Sequence, residues 1–424
     1  MSNKRIYLDC AATTPLDQRV LKVMLPYFGK KFGNPSSIHA EGVDAKKALE
    51  AARKSVGGIL RARADEMIFT SGGTESNNLA IHGVLNAITD IRRLDANKRG
   101  LNISVHQRSH QRASAEKLHM VTTNIEHSSV LEPIRALERR GVAVTYVPIE
   151  PNGIVDPKKI AAALRPETVL VSVGYANNEI GTIQPISKIA REIRIFRNRL
   201  KAQITNPKFK LSNFQTPIFH TDACQAPLYL DCNMDKLGVD LLTLDGHKMY
   251  GPKGVGALYI RHGTPIAPML FGGGQESSLR STTENVAAIV GFARALEMAA
   301  SKRDKESARL TKLRDFCHSN ILENVGMTEV IINGDMKERL PNNLNLSFPG
   351  IDTEMLLLRL DALGIACSTK SSCLRDEPGS YVVLALGGGE ARAKSTLRFS
   401  FGRETTKKDI DYLIIQLVRV IQQS

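Results

Sequence analysis

The most reactive feature of this sequence is a lysine on a glycine-rich turn. Lys248 lies within residues 245–256, between two apolar runs at 239–244 and 255–260 that are typical of buried strands. A lysine amine on such a turn is able to form a Schiff base with a carbonyl cofactor. The alternative is a solvated surface lysine, which is the better interpretation for a lysine without partners. The residues that accompany Lys248 therefore decide its role.

Polar side chains follow the ends of several predicted strands. They are Ser71 to Thr74, Glu126 with His127, Asn177 with Asn178, Thr221 with Asp222, and Gly246 to Lys248. In parallel α/β sheets, ligands bind beyond the carboxyl ends of the strands. The pattern therefore predicts that these residues share one site.

Three of these positions suggest a specific chemistry. Gly73 and Thr74 begin a predicted helix, where backbone N–H groups and the helix dipole favour a phosphate, although Thr74 also suits a simple N-cap. Asp222 is able to pair with a pyridinium nitrogen and improve an electron sink, or to cap a helix. His127 is able to stack on a ring, to act as an acid or base, or to be structural.

The predicted elements alternate between strands and helices from about residue 65. Strands are predicted at 67–70, 118–122, 142–147, 168–173, 217–220 and 241–244, with helices at 74–88 and 128–139. This order predicts a mostly parallel sheet with helices on both faces. A long helix at 286–320 and strands at 343–348 and 396–401 follow. We expect a large domain at 16–285 and a smaller one formed by 1–15 and 286–424.

Composition narrows the class of protein. The 424 residues are 42% hydrophobic and 24% charged, as in ordinary globular proteins. No run approaches the roughly 18 apolar residues that span a bilayer, and the N-terminus lacks a signal-peptide pattern, so we expect a cytoplasmic protein. The six cysteines are scattered without a C-x-x-C pair, which disfavours metal or disulfide frameworks but leaves room for a nucleophilic thiol.

Two segments carry most of the net charge of +14. Residues 92–117 hold seven Lys or Arg against two acids, and residues 191–210 hold seven against one. Both segments are polar and weakly patterned, which predicts basic surface insertions. Solvation or an acidic protein partner explains them as well as nucleic acid does, so direct nucleic-acid binding is not expected.

Taken in order, several motifs identify a family. The chain resembles the pyridoxal-phosphate-dependent cysteine desulfurases of the class V aminotransferase group over nearly its whole length, except the two basic segments. The resemblance implies a fold-type I transferase, with a mostly parallel seven-stranded sheet in the large domain and a smaller α+β C-terminal domain. The motifs are YLD at 7–9, FGNPSSIH at 32–39, TSGGTESNN at 70–78, NNEIG at 177–181, DACQ at 222–225, GHKMYGPKG at 246–254, GGGQE at 272–276 and LRFS at 397–400.

The resemblance implies a role for each matching residue. Lys248 binds the pyridoxal phosphate covalently, and Thr283 reaches its phosphate across a homodimer interface. A planar arginine suits the carboxylate of an L-cysteine substrate. The other implied contacts are Asp222 to the ring nitrogen, His127 stacked on the ring, Asn177 and Gln225 near the ring oxygen, Gly73, Thr74 and His247 on the phosphate, and Asn34 with Arg398 on the substrate carboxylate.

The nucleophile implied by the resemblance is Cys373, on a polar loop. Its thiolate attacks the sulfur of the bound cysteine, keeps that sulfur as a persulfide and releases alanine. Cys367 is the rival, but its place at a strand end predicts a buried structural thiol. The loop departs from the family pattern, since Lys370 replaces a glycine. Asp245 stands where a phosphate-binding serine is common, and we expect it to turn away or to pair with Lys253.

The leading hypothesis is a homodimeric cysteine desulfurase that supplies sulfur for iron–sulfur clusters or tRNA thiolation. The receiving partners are then a scaffold protein or a tRNA-thiolation enzyme. Selenocysteine lyase and aminotransferase activity are alternatives on the same fold. A weakly active sulfur-relay partner is the alternative from another class, suggested by Lys370 and the basic segments.

Overall fold

The computed structural model describes residues 5–98, 118–203, 216–325, 330–370 and 379–423. Cys373 and most of the basic segment 92–117 lie outside this part of the chain. None of the described helices is both long and apolar enough to cross a membrane.

Strands and helices alternate through the first 260 residues. The strands are β1 Ile6–Tyr7, β2 Met67–Thr70, β3 His119–Thr123, β4 Ala143–Val147, β5 Thr168–Ser172, β6 Ile218–Asp222, β7 Leu241–Asp245, β8 Gly256–Ile260, β9 Ile331–Ile332, β10 Asn343–Ser347, β11 Ile365–Ala366 and β12 Thr396–Ser400. The α-helices are α1 Gln18–Met24, α2 Ala40–Leu60, α3 Gly73–Lys98, α4 Ser128–Glu138, α5 Pro157–Ala163, α6 Ile186–Gln203, α7 Met234–Leu237, α8 Val286–Asn324, α9 Thr353–Ala362, α10 Tyr381–Ala385, α11 Gly389–Lys394 and α12 Lys407–Gln422.

A seven-stranded sheet forms the centre, in the order β2-β8-β7-β6-β5-β3-β4. Only β8 runs antiparallel to its neighbours β2 and β7; the other pairs are parallel. Every residue of β3, β5, β7 and β8 is buried, and so is every residue of β6 except Asp222, as expected for strands covered on both faces. The predicted mostly parallel seven-stranded α/β sheet is therefore confirmed.

Helices cover both faces of this sheet because neighbouring side chains of a strand point to opposite sides. On β2, Ile68 packs into the apolar cluster that contains Leu79 of α3. The next residue, Phe69, belongs to the opposite cluster and meets Phe292 of α8 edge-on, with ring centroids 6.0 Å apart. The two faces hold the strands rigidly and so fix the positions of their carboxyl ends.

A smaller group of elements packs beside this sheet. β12, β10 and β9 form an antiparallel sheet, and the N-terminal strand β1 runs parallel to β11, with Ile6 opposite Ile365. Asp9 then bridges to Ser400 of β12. The N-terminal segment is thereby laid against the C-terminal elements before it enters the cavity described below.

The described part of the second basic segment, residues 191–203, is not a surface insertion but part of helix α6. Ile189 and Ile193 of this helix are buried. Arg197 is held by the carbonyl of Pro217, with Nε 3.0 Å from the oxygen. The prediction was wrong there because charged side chains on one face of the helix concealed the apolar stripe on the other. Likewise α3 continues to Lys98, ten residues beyond its predicted end.

A buried ion pair fixes the turn at Gln275–Ser278. Glu276 accepts hydrogen bonds from two nitrogens of Arg53 at 2.7 and 2.8 Å and from the backbone N–H of Phe69 at 2.8 Å. Its side chain is only 2% exposed. Removing one partner of such a pair leaves the other charge buried without compensation.

We expect Glu276→Gln to lower the free energy of unfolding by about 3 kcal/mol, as for other broken buried pairs. Chemical denaturation of the unloaded protein measures this. Asp411→Asn is the matched control, because it removes an exposed pair with Lys407 and should cost less than about 1 kcal/mol. Equal losses in the two variants would contradict a structural role for Glu276.

Candidate active site

The sheet and the N-terminal segment enclose one cavity of about 210 Å³ at the carboxyl ends of the strands. The predicted site residues that line it are Gly73, Thr74, His127, Asn177, Asp222, Gln225, His247, Lys248 and Arg398. Asn34 and Thr283 are exposed and do not line it in the single chain. Cys373 lies outside the described residues. Most of the predicted set is thus brought together by the fold.

Lys248 projects into the cavity from the turn Gly246–Lys248 directly after β7. Its Nζ donates hydrogen bonds to the carbonyls of Ala11 at 2.7 Å and Ala12 at 2.6 Å. Burial, followed by the positive charge of Arg398, lowers the pKa of the Lys248 amine below its ordinary value. A lowered pKa increases the fraction of neutral amine, which is the form that attacks a carbonyl group.

Asp222 ends β6 and faces the cavity with a fixed carboxylate. Its Oδ2 accepts a hydrogen bond from Asn77 Nδ2 at 2.7 Å, and its Oδ1 accepts the backbone N–H of Cys224 at 2.9 Å. Asn77 is fully buried on α3 and also donates to Ser129 at 2.8 Å. Asn77 was missed as a site residue, although it lies in the 70–78 motif, because its role depends on contacts between distant elements.

Glu126 is a second carboxyl group that lines the cavity with Asp222. It accepts hydrogen bonds from Thr123 Oγ1 at 2.5 Å and from the backbone N–H of Gly174 at 2.8 Å. Burial raises the pKa of Glu126 to about 8, and the negative charge of Asp222 adds to the shift. Glu126 is therefore protonated at neutral pH and places no second negative charge beside Asp222.

His127 stands at the cavity wall as the N-cap of α4. Its Nδ1 accepts the backbone N–H of Ser129 at 3.1 Å and lies 2.8 Å from the hydroxyl of the same residue. Because Nδ1 is an acceptor, the ring proton is assigned to Nε2. The cap also fixes the plane of the imidazole, as a ring-stacking role requires.

The amides of Asn177 and Gln225 are held in different ways. Asn177 donates to the carbonyl of Ile125 at 2.9 Å, and its Oδ1 accepts the backbone N–H groups of Glu179 and Ile180. Only its second N–H is left for a ligand. Gln225 uses its Nε2 on Ala11 at 2.9 Å, which leaves its carbonyl oxygen for the cavity.

Gly73 begins α3 at the point expected to hold a phosphate. A Cβ at this position would lie 2.6 Å from the sulfur of Cys224, so the close approach requires glycine. The expectation for Asp245 was wrong. It neither turns away nor pairs with Lys253, because its Oδ2 accepts the Gly73 N–H at 2.7 Å and lies 3.4 Å from His247 Nε2.

Arg398 of β12 also lines the cavity and is 1% exposed. It donates to Asp9 Oδ1 at 2.7 Å and to the carbonyl of Asn178 at 2.9 Å. Its Nε is buried without a hydrogen-bond partner. An unsatisfied buried donor of this kind fits an anionic group such as a carboxylate. Asp9, which orients the guanidinium, was visible only as part of the 7–9 motif.

The cavity suits pyridoxal phosphate. It offers a buried amine for an aldehyde, a fixed carboxylate for a ring nitrogen, a capped imidazole beside them and a helix N-terminus for an anion. Among the described residues, no group of His, Cys, Asp or Glu side chains is arranged to hold a metal ion.

Known proteins are similar in sequence to this chain along most of its length. The family model for class-V aminotransferases matches residues 6–100, 96–199 and 209–413. Cysteine desulfurase IscS of Dictyoglomus turgidum is 42% identical over 99% of this chain and 95% of its own length. Cysteine desulfurase IscS 1 of Archaeoglobus fulgidus is 38% identical over 98% of this chain and 97% of its own.

Solved structures agree with these relatives. A NifS-like protein, 34% identical, superimposes with a TM-score of 0.81 over 99% of this chain and all of its own. A protein named SspA, solved in complex with cysteine, is 32% identical, with a TM-score of 0.72 over 93% of this chain and 98% of its own. With the site geometry, these matches place the chain in the class-V aminotransferase family, among the pyridoxal-phosphate-dependent cysteine desulfurases.

Proposed function

We propose that this chain takes the sulfur of L-cysteine onto Cys373 as a persulfide, releases L-alanine and passes the sulfur to an acceptor. The observation that carries the proposal is the common cavity of Lys248, Asp222 and Arg398, which offers a cofactor amine, a ring partner and a carboxylate donor together. Similarity to cysteine desulfurases along the whole chain supports it. A structural relative solved with cysteine supports the choice of substrate.

The residues around the cofactor hold it and move protons. Bound pyridoxal phosphate supplies an electron sink for bond cleavage at the substrate carbon. Lys248 would hold the cofactor through its amine and would carry a proton at Nζ when that amine is free. Asp222 would pair with the ring nitrogen, and His127 would stack on the ring. Gly73, Thr74 and His247 would bind the phosphate, and Asn177 and Gln225 would lie near the ring oxygen.

Arg398 orients the substrate in this proposal. Arg398 lines the cavity, so a substrate carboxylate would pair with a guanidinium that Asp9 already holds in place. Asn34, which is exposed in the single chain, would join this contact only if its segment is brought to the cavity. A buried arginine fixes the position of the amino acid, and therefore the position of its sulfur.

Cys373 is the proposed nucleophile. Burial raises the pKa of Cys10, Cys232 and Cys367 to about 12, and that of Cys224 and Cys317 as well, so the described cysteines are neutral thiols at neutral pH. In the step itself, the Cys373 thiolate attacks the substrate sulfur, an S–S bond forms and the C–S bond breaks. The electron pair of that bond stays with the carbon, which takes a proton and becomes the methyl group of alanine.

We also propose a homodimer that completes the phosphate site with Thr283. Thr283 is exposed on the segment after the turn at 275–278. Large apolar side chains are exposed in the same part of the molecule and near the N-terminus, as on a surface that another copy covers. They are Phe28, Phe32, Ile38 and Phe271.

We also propose the domain boundary, the class of sulfur acceptor and the cellular compartment. The large and small domains would divide at residues 285 and 286, with residues 1–15 in the small one. The sulfur would pass to an iron–sulfur scaffold or a tRNA-thiolation enzyme. A reducing cytoplasm suits a mechanism that depends on a free thiol.

The test is product analysis with L-cysteine, L-selenocysteine and L-alanine plus a keto acid. We expect alanine and sulfide in equal amounts from L-cysteine with a reducing agent present, and no amino-group transfer to the keto acid. A clear preference for L-selenocysteine would assign a selenocysteine lyase. Alanine formation no faster than that of free cofactor would indicate a sulfur-relay partner.

A further inference from the structure

The N-terminus of α3 already holds an anion supplied by the chain itself. Asp245 is 8% exposed, and its Oδ2 accepts the Gly73 N–H at 2.7 Å. This N–H is the donor that a cofactor phosphate is expected to use. The same carboxylate oxygen lies 3.4 Å from Nε2 of His247, the second expected phosphate ligand.

The carboxylate leaves no room for a second anion on the same donors. A Cβ at Gly72 would lie 3.4 Å from Asp245 Oδ2, and one at Gly73 would lie 3.1 Å from it, so the carboxylate rests directly against the glycine pair. Its other oxygen accepts the backbone N–H of His247 at 3.3 Å. A phosphate that takes these donors must displace Asp245 or lie in contact with it.

The charges around Asp245 do not remove this conflict. Burial would raise the pKa of Asp245, but hydrogen bonds and charge from His247, with the Gly73 N–H, outweigh burial and lower the pKa below its ordinary value. Asp245 is therefore ionised in the unloaded protein. Cys224 nearby is a neutral thiol.

Two further charged groups line the space beside Asp245. Glu75 is already paired with Arg280 at 2.7 Å. Lys253 is exposed. Lys248 lines the same cavity as Asp245, but its amine would be committed to the cofactor aldehyde. Apart from His247, which the two anions would share, a dianionic phosphate therefore meets Asp245 with little compensating charge.

We propose that Asp245 competes with the phosphate of pyridoxal phosphate for Gly73 and His247, so that the phosphate binds together with a proton. The shared proton removes the repulsion between two anions in contact. The second pKa of a phosphate monoester is about 6, so the proton is available near neutral pH at small cost. This inference rests on the proposed cofactor site but concerns only its phosphate end.

The consequence is a cofactor that is held less tightly as the pH rises. Asp245 thus acts as a specificity residue, because it narrows the difference in affinity between pyridoxal phosphate and its phosphate-free form, pyridoxal. Serine, common at this position in the family, would accept or donate a hydrogen bond without a charge.

The test is titration of the unloaded full-length protein with pyridoxal phosphate and, separately, with pyridoxal. Wild type is compared with Asp245→Ser and with Asp245→Asn, which keeps an acceptor for the Gly73 N–H. Above neutral pH we expect both substitutions to tighten pyridoxal phosphate binding roughly 10- to 100-fold and to leave pyridoxal binding nearly unchanged. Asp156→Asn is the control, since Asp156 caps α5, is not among the described residues that line the cavity, and should alter neither affinity.

Calorimetry in buffers of different ionisation enthalpy gives a second readout. Wild type should take up about one more proton per pyridoxal phosphate than Asp245→Asn does. Equal affinities and equal proton uptake in wild type and both variants would overturn the role of Asp245, even with pyridoxal bound normally. If neither aldehyde binds any of the proteins, the proposed cofactor site itself fails, and this inference fails with it.

Discussion

Cys373→Ala is expected to reduce sulfide and alanine formation from L-cysteine by at least about a thousandfold, because it removes the nucleophile that takes the sulfur. Cofactor binding should be unchanged, since none of the described residues that line the cavity is altered. The measurement is the initial rate of alanine formation, with the visible absorption of the bound cofactor as a check that the site is intact.

Cys367→Ala is the matched control for this prediction. Cys367 follows β11, and burial raises the pKa of its thiol to about 12, so it supplies almost no thiolate at neutral pH. The rate of Cys367→Ala should stay within a few-fold of wild type. If Cys373→Ala retained the wild-type rate while Cys367→Ala lost it, the nucleophile would be Cys367.

Lys248→Ala is expected to remove the visible absorption band of the bound cofactor and to lower the rate by at least about a thousandfold. The physical reason is that the amine both holds the cofactor and moves protons at the substrate carbon. The cavity retains Asp222 and the phosphate site, so pyridoxal phosphate should still bind, without a covalent link and therefore more weakly.

Lys253→Ala is the control for Lys248→Ala, because Lys253 is an exposed lysine on the same turn. Its spectrum should match that of wild type. Borohydride reduction separates the two variants further: it should fix the cofactor to the peptide of Lys248 in Lys253→Ala and to no peptide in Lys248→Ala. An unchanged spectrum in Lys248→Ala would refute the assignment.

The position of the site could be predicted from the sequence because strand ends are local features. Asp222 ends β6 and Lys248 lies on the turn directly after β7, and a parallel sheet brings such ends to one edge. The regular alternation of strands and helices predicted the sheet for the same reason.

Contacts between distant elements could not be predicted in this way. Asp245 was expected to turn away from the phosphate site or to pair with Lys253, yet its carboxylate accepts the N–H of Gly73, 172 residues earlier in the chain. The position of Asn77 between Ser129 and Asp222 likewise depends on how α3 packs against the sheet. Side-chain pairing of this kind is decided by packing and electrostatics, which no periodic pattern encodes.

The elevated pKa of Glu126 is a further property of the folded chain. The sequence shows Glu126 and His127 only as two polar residues after a strand. It does not show that burial, together with the charge of Asp222, raises the pKa of Glu126 far enough to keep its carboxyl group protonated. The consequence is an uneven pair of carboxyl groups at the cavity, of which Glu126 is neutral. Such pairs are common where a site needs a single negative charge.

The most direct test of the account is to locate the sulfur after one turnover. The loaded enzyme is mixed with an equal amount of L-cysteine, alkylated, digested and analysed by mass spectrometry, while alanine is measured in parallel. We predict one added sulfur atom on the peptide that contains Cys373, in an amount equal to the alanine formed, and none on the peptides of Cys224 or Cys367. Alanine formed with no sulfur added to Cys373 would contradict the proposed mechanism.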